Sequence, residues 1–273
     1  MKRTVLGCLP YLNVRPLIRS IERDVPPGYE LIYTVPSDLA RRLENGTCDI
    51  AAVSSFEALR STGLVIVPGI SIATDGPVTS VMLFSNAPFG QIRRVALDTS
   101  SLTGAALTRV ILADVYGNAS EFVRADPSPD AMLQQADACL LIGNNAMTIA
   151  PDTPFVLDLG EAWKSLTGLP FVFAVWAARR SAVDERDVRI LLDARSAGLR
   201  EIDAITAETA PEMGLPESVV RAYLSEIMVY DLGERELAGL SEYLRRCQAH
   251  GLLPPEARAE LFHPAVSSQN RQP

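Results

Sequence analysis

Histidine is almost absent from this chain. His250 and His263 are the only two, and both stand close to the C-terminal end. Serine–histidine catalysis and histidine-rich metal sites are poorly supplied on that count. The four cysteines, Cys8, Cys48, Cys139 and Cys247, are scattered without a C-x-x-C pair. They read as reduced, buried thiols rather than as a metal site or a disulfide framework. No apolar run approaches the roughly 20 residues of a membrane span. The opening segment 1–8 has an apolar stretch shorter than the roughly 7–15 residues of a signal sequence, and Arg15 interrupts any longer version. The expectation is therefore a cytoplasmic protein without a membrane partner. Positive charge is also in deficit. With 25 Lys and Arg against 33 Asp and Glu, the net charge of −8 argues against a nucleic-acid partner. An anionic ligand must then be drawn by local groups, because the global field repels it.

Strand-to-helix junctions with small polar residues are, by contrast, plentiful. They stand at Leu12-Asn13-Val14-Arg15-Pro16, Val53-Ser54-Ser55-Phe56, Asp98-Thr99-Ser100-Ser101-Leu102-Thr103-Gly104 and Ile142-Gly143-Asn144-Asn145-Ala146. The first turn of a helix leaves N–H groups free, and the helix dipole is positive there, so such places bind anions. Hydroxyl and amide side chains at the same spot cap the helix or reach a ligand. Four of them suit a cleft for a small, oxygen-rich anion.

The periodicity supports two lobes of α/β structure, and 273 residues are enough for two cores. Residues 4–9, 30–35, 49–53 and 64–67 read as strands, with helices expected after Pro16, Ser37 and Ser55. Ser37 resembles an N-cap, and Gly46 a helix stop. The layout then recurs, with strands at 94–98, 121–123, 138–142 and 155–159 and helices at 107–117 and 129–134. Residues 78–85 and 170–177 are candidate crossings between lobes. Lobe 1 is expected to comprise 1–84 and 175–265 and lobe 2 to comprise 85–174, with 266–273 as a disordered tail. Helical stripes follow at 220–228 and 237–247. This alternation implies parallel βαβ units, and ligands in such sheets sit beyond the carboxyl ends of the strands, where the junctions fall.

Several of these segments also resemble a known family. Tyr11-Leu12-Asn13-Val14-Arg15-Pro16-Leu17, Val78-Thr79-Ser80-Val81, Ala96-Leu97-Asp98-Thr99-Ser100-Ser101-Leu102-Thr103 and Leu141-Ile142-Gly143 appear in order. Asp158-Leu159-Gly160-Glu161-Ala162-Trp163 and Thr167-Gly168-Leu169-Pro170-Phe171-Val172-Phe173-Ala174-Val175-Trp176 follow. Together they are similar to the chorismate dehydratases of the futalosine route to menaquinone, over the first two thirds of the chain. The resemblance implies a type II periplasmic-binding-protein-like fold, with the ligand cleft between its lobes, used as a hydro-lyase. It implies removal of water from chorismate to give 3-[(1-carboxyvinyl)oxy]benzoate, without a cofactor or metal. A sister family of the same fold makes 1,4-dihydroxy-6-naphthoate; the Tyr-Leu-Asn opening and the Thr-Gly-Leu-Pro-Phe block favour the dehydratase. Two positions depart from the family pattern. Asn144 stands where an Asp is usual, which takes away a carboxylate that could act as base, and Gly104 stands where Ser is usual.

Asn13 and Ser80 are the candidate catalytic residues. Asn13 reads as a ligand contact or as a cap for the helix near Pro16, and Ser80 as a ligand contact or a partner for the backbone. The substrate-binding candidates are Arg15, Ser54, Ser55, Ser100, Ser101, Thr103, Gly104, Asn144 and Asn145. Arg15 reads equally as a bidentate carboxylate anchor and as a solvated arginine at a helix start. Ser54 and Ser55 fit N-caps as well as ligand contacts. Ser100, Ser101 and Thr103 form the best anion nest, with a redundantly capped helix as the plain alternative. Asp98 is better suited to orienting those hydroxyls than to acting as base, since a carboxylate beside a dianion adds repulsion. Asp158 and Glu161 fit a cap for the Trp163 helix, and Trp163 and Trp176 fit the core. With no histidine placed as a base, the substrate's enolpyruvyl carboxylate is the expected proton acceptor. A solute-binding protein and a ligand-sensing domain are the rivals; no export signal supports the first, and residues 1–9 leave no room for a DNA-binding helix pair.

Overall fold

The computed structural model describes residues 3–263, the side chain of Ser37 excepted, so the expected tail at 266–273 lies outside the described residues. The chain begins with β1 (Thr4–Cys8), α1 (Arg15–Arg23), β2 (Tyr29–Tyr33), α2 (Pro36–Asn45), β3 (Ile50–Ser54), α3 (Ser55–Arg60) and β4 (Leu64–Thr74). It continues through β5 (Val81–Ser85), β6 (Arg94–Asp98), α4 (Thr103–Tyr116), β7 (Glu121–Ala125), α5 (Pro129–Gln135), β8 (Ala138–Ile142), α6 (Gly143–Thr148), β9 (Phe155–Asp158) and α7 (Leu159–Thr167). Then come β10 (Phe171–Arg179), α8 (Glu185–Arg200), α9 (Ile202–Met213), α10 (Glu217–Ala222) and α11 (Glu234–Ala249). A 3₁₀ turn at Leu12–Val14 precedes α1, and a π-helical turn at Tyr223–Ile227 extends α10.

Two five-stranded sheets result, in the orders β2-β1-β3-β10-β4 and β7-β6-β8-β5-β9. The layout is the same in both. Three parallel strands are followed by one antiparallel strand and then a fifth. In each sheet the antiparallel strand is the first one laid down after the chain has crossed between lobes. The expected boundaries at 84/85 and 174/175 therefore cut through β5 and β10. Sheet membership changes earlier, between Thr74 and Val81 and again between Asp158 and Phe171.

Most helix and strand expectations hold to within a residue or two, and Gly46 and Gly117 end α2 and α4 in the left-handed region. The N-cap of α2 is Val35, with Pro36 opening the helix in place of the expected Ser37 start. β4 runs on to Thr74 instead of stopping near 67. Its Gly69 takes φ +78 inside the strand. The pairing with β10 absorbs this with register shifts, so the strand bends without ending.

A continuous apolar core runs from the first sheet into the face of the second that carries α4. Trp163 on α7, Phe171 on β10 and Tyr243 on α11 meet edge to face at its centre, with Trp163–Phe171 and Phe171–Tyr243 centroids 5.1 and 5.0 Å apart. Each such pair adds about 0.5–1.5 kcal/mol beyond area burial. Trp163 also donates its indole N–H to the Pro170 carbonyl at 3.1 Å, so a crossing segment is fixed by the core itself. Among the described residues no helix is long and apolar enough to cross a membrane.

Candidate active site between the lobes

The carboxyl ends of both sheets open on one cavity, with about 740 Å³ of empty space when its mouth is included. Leu9, Ile72, Phe173 and Met228 form an apolar wall from the first lobe, and Val78 and Val81 face them from the crossing segment. Polar atoms are contributed by Tyr11, Asn13 and Ser54 on one side and by Ser80, Ser100, Ser101 and Thr103 on the other. No Asp, Glu, Lys, Arg or His lines the cavity among the described residues. An anion held here must rely on hydroxyls, amides and backbone N–H groups.

Two of the junctions use their hydroxyls in opposite ways. Ser54 accepts from the Glu57 N–H at 3.2 Å and so caps α3 with its own side chain. At α4, a helix of 14 residues, Leu102 occupies the N-cap and makes no side-chain cap bond. The Thr103 Oγ1 accepts instead from the Phe56 N–H of the other lobe at 3.0 Å, and Tyr243 donates to the Thr103 carbonyl at 3.1 Å. Ser100 is held by Asp98, which accepts from its N–H at 2.8 Å and from its hydroxyl at 2.6 Å. The first N–H groups of α4 thus remain without a side-chain cap beside the cavity. Gly104 lets them approach it closely: a Cβ there would stand 2.6 Å from Ser101 Oγ and 3.2 Å from a Val81 methyl. The serine usual at this position would crowd the Ser101 hydroxyl.

Asn13 and Ser80 come from different lobes and meet through Tyr223. Asn13 Nδ2 donates to the Tyr223 hydroxyl at 3.2 Å, and Ser80 Oγ lies 2.8 Å from the same oxygen. Tyr223 is held by the π-helical turn and is 1% exposed. Burial pushes its phenol up to about 12, against its hydrogen bonds with Ser80 and Asn13, which lower it, so it stays protonated. Asn13 Oδ1 is buried and has no partner among the described residues. Ser80 is aimed by a strained neighbour. Thr79 has φ +58, and the N–H groups of Val78 and Thr79 are gripped by Asp158, which also caps α7. Left-handed backbone at a threonine persists only where its surroundings enforce it. Burial also raises the Tyr11 phenol, with Ser100 opposing and Asp98 adding to the effect.

Four expected contacts are not at the cavity. Arg15 pairs with Glu212 at 3.3 Å and does not line the cavity. Ser55 is fully buried and donates to the Val172 carbonyl at 2.7 Å, tying α3 to β10. Asn144 Oδ1 accepts from the Leu12 N–H at 3.3 Å, a clasp between the lobes. Asn145 is one step further along α6 and does not line the cavity either. Asp98, Asp158, Trp163 and Trp176 take the structural roles expected of them. Missed by the sequence reading were Tyr11, which adjoined Asn13 in the first motif, and Tyr223. The latter sits in a helical stripe that is indistinguishable from core packing in one dimension.

Residues 4–249 match the family model described as menaquinone biosynthesis. The chain is 32% identical to the chorismate dehydratase of Thermus thermophilus, covering 97% of this chain and 100% of that protein. It is 26% identical to the chorismate dehydratase of Campylobacter jejuni, over 91% and 99% of the two chains. Among solved structures, an Archaeoglobus fulgidus protein superposes with a TM-score of 0.71 at 18% identity, over 92% of this chain and 98% of that one. The periplasmic aliphatic sulphonate binding protein SsuA of Escherichia coli does so with a TM-score of 0.69 at 15% identity, over 100% and 96%. At these identities the structures speak to the fold, a two-lobed binding-protein-like clamp.

Proposed function

The chain belongs to the menaquinone biosynthesis family, and on that premise we propose that its cleft removes water from chorismate to give 3-[(1-carboxyvinyl)oxy]benzoate. It is a hydro-lyase. The observation that carries the site reading is a cavity with hydroxyls, amides and helix N–H groups but, among the described residues, no acidic or basic side chain on its walls.

That composition selects a mechanism in which the substrate supplies its own base. The C3 proton of chorismate passes to the enolpyruvyl carboxylate attached at the same carbon. The electron pair left on C3 is shared through the adjacent ring double bond with the ring carboxylate. The C4–O bond then breaks, the departing hydroxide takes up the transferred proton, and water and an aromatic ring result. A carboxylate is a weak base, but well-oriented intramolecular groups reach effective molarities of about 10⁵–10⁸ M. The protein's work is orientation and charge stabilisation. The uncapped start of α4, with Ser101 and Thr103, holds the ring carboxylate, where charge accumulates. The enolpyruvyl carboxylate is left with weaker partners, which preserves its basicity. Asn13 and Ser80 face the C4 hydroxyl; a donor placed at a developing oxyanion is worth about 10²–10³ in rate. Apolar residues on both sides enclose the ring. No cofactor is needed for this chemistry, and we place the enzyme in the cytoplasm.

Purified protein incubated with chorismate should yield, by mass spectrometry, a product lighter by one water. Binding without conversion would instead indicate a carrier. A chorismate analogue without the enolpyruvyl carboxylate should bind and persist; brisk dehydration of it would sink the substrate-assisted step.

A further inference from the structure

The Tyr223 hydroxyl carries one hydrogen and has two partners, Asn13 and Ser80. Because the group is fully buried, that hydrogen must go to one of them. Asn13 Nδ2 donates to the phenol oxygen, so the phenol donates to Ser80 Oγ. The hydroxyl hydrogen of Ser80 is then free to enter the cavity, which Ser80 lines. Asn13, also on the wall, is left with a buried Oδ1 that accepts from nothing among the described residues. With one Nδ2 hydrogen committed to Tyr223, the unpaired group Asn13 keeps is an acceptor, while the group Ser80 keeps is a donor. Running the relay in the other sense exchanges the faces but keeps them opposite, since Tyr223 has only one hydrogen to give. A hydroxyl, which donates once and accepts, is the group that completes such a pair.

From this we propose that Tyr223 is a positioning residue that fixes the polarity of Asn13 and Ser80 and thereby selects a ring hydroxyl as the leaving group. The inference rests on the dehydratase reading above. Tyr223 does not line the cavity and acts through its two partners. In the reaction, Asn13 Oδ1 accepts the C4 hydroxyl hydrogen while Ser80 donates to the C4 oxygen. As the C4–O bond breaks, the Ser80 hydrogen bond strengthens on the departing hydroxide, with Tyr223 holding Ser80 as the donor. The chain from Asn13 through Tyr223 to Ser80 also spans the lobes, so the pair is complete only when they are closed on each other.

The test compares Tyr223→Phe with the wild type on chorismate. The variant should lose about ten- to a hundredfold in kcat with KM changed less than twofold. The aromatic product has no C4 hydroxyl and should inhibit both proteins equally. In a Ser80→Ala background, adding Tyr223→Phe should cost less than about threefold, because the relay has already lost its end. Should Tyr223→Phe fold poorly, the wild type alone still answers: an analogue with an ammonium at C4, which cannot accept, should bind at least tenfold more weakly than chorismate. An unchanged kcat, a parallel loss of product affinity, additive costs in the double variant, or equal binding of the ammonium analogue would each overturn the proposal. Absence of wild-type turnover would overturn the functional reading, and this inference with it.

Discussion

The junctions at α3 and α4 look alike in sequence and have opposite fates. Val53-Ser54-Ser55-Phe56 closes on itself: Ser54 caps its own helix, and Ser55 is consumed by the Val172 carbonyl. Asp98-Thr99-Ser100-Ser101-Leu102-Thr103-Gly104 stays open. Asp98 holds Ser100, Thr103 reaches across to Phe56, and the start of α4 is left without a side-chain cap. The start of α4 is left open because its polar side chains are engaged elsewhere. The first lobe thus supplies a finished wall, and the second supplies unsatisfied donors.

That contrast can be broken by making the second junction resemble the first. Leu102→Asp puts a capping carboxylate at the N-cap of α4. It should stabilise the fold by about 0.5–1 kcal/mol while raising KM for chorismate at least tenfold, a loss of about 1.4 kcal/mol. Thermal melts and steady-state kinetics read the two effects separately; a variant with unchanged KM would show that α4 does not hold the anion. The converse change, Ser54→Ala, removes the cap of α3. It should lower stability by about 1 kcal/mol in urea titrations and alter KM less than threefold, since that hydroxyl already serves its helix.

A smaller difference concerns acid. In the second lobe, Asp137 is held below the usual carboxylate range, chiefly by the Arg93 N–H and further by that of Arg94. Its stabilising contribution is complete above the unfolded value of about 3.9 and is lost as pH falls through the lower folded value. In the first lobe, Asp187 is raised by burial, despite the Tyr29 hydroxyl donating to it at 2.6 Å. Its contribution runs the other way, complete below about 3.9 and lost as pH rises through the folded value. Asp137→Asn should therefore flatten the acid limb of urea stability below about pH 4, whereas Asp187→Asn should leave that limb at least as steep.

Local order was largely legible. β-branched runs, Gly46 and Gly117 as stops, and polar starts located most strands and helices, because these depend on neighbours in the chain. The lobe boundaries were misplaced because β5 and β10 are each one continuous strand, and only pairing reveals which sheet owns them. Asn13, Ser54, Ser80, Ser100, Ser101, Thr103 and Gly104 do meet at the cavity. Arg15, Ser55, Asn144 and Asn145 do not, since a junction's position in the chain says nothing about which way each side chain turns.

The sequence by itself determined the alternating elements, the scarcity of bases and cations near the junctions, and the family. The first two follow from composition and local spacing, and the family from the resemblance of its ordered motifs. Tertiary structure alone decided that Tyr223, two hundred and ten residues from Asn13, would join it to Ser80, and that one helix start would be capped and the other left open. The first depends on hydrogen bonds between groups far apart in the chain, and the open start of α4 on the distant Phe56 N–H that engages Thr103; such partners are chosen by packing.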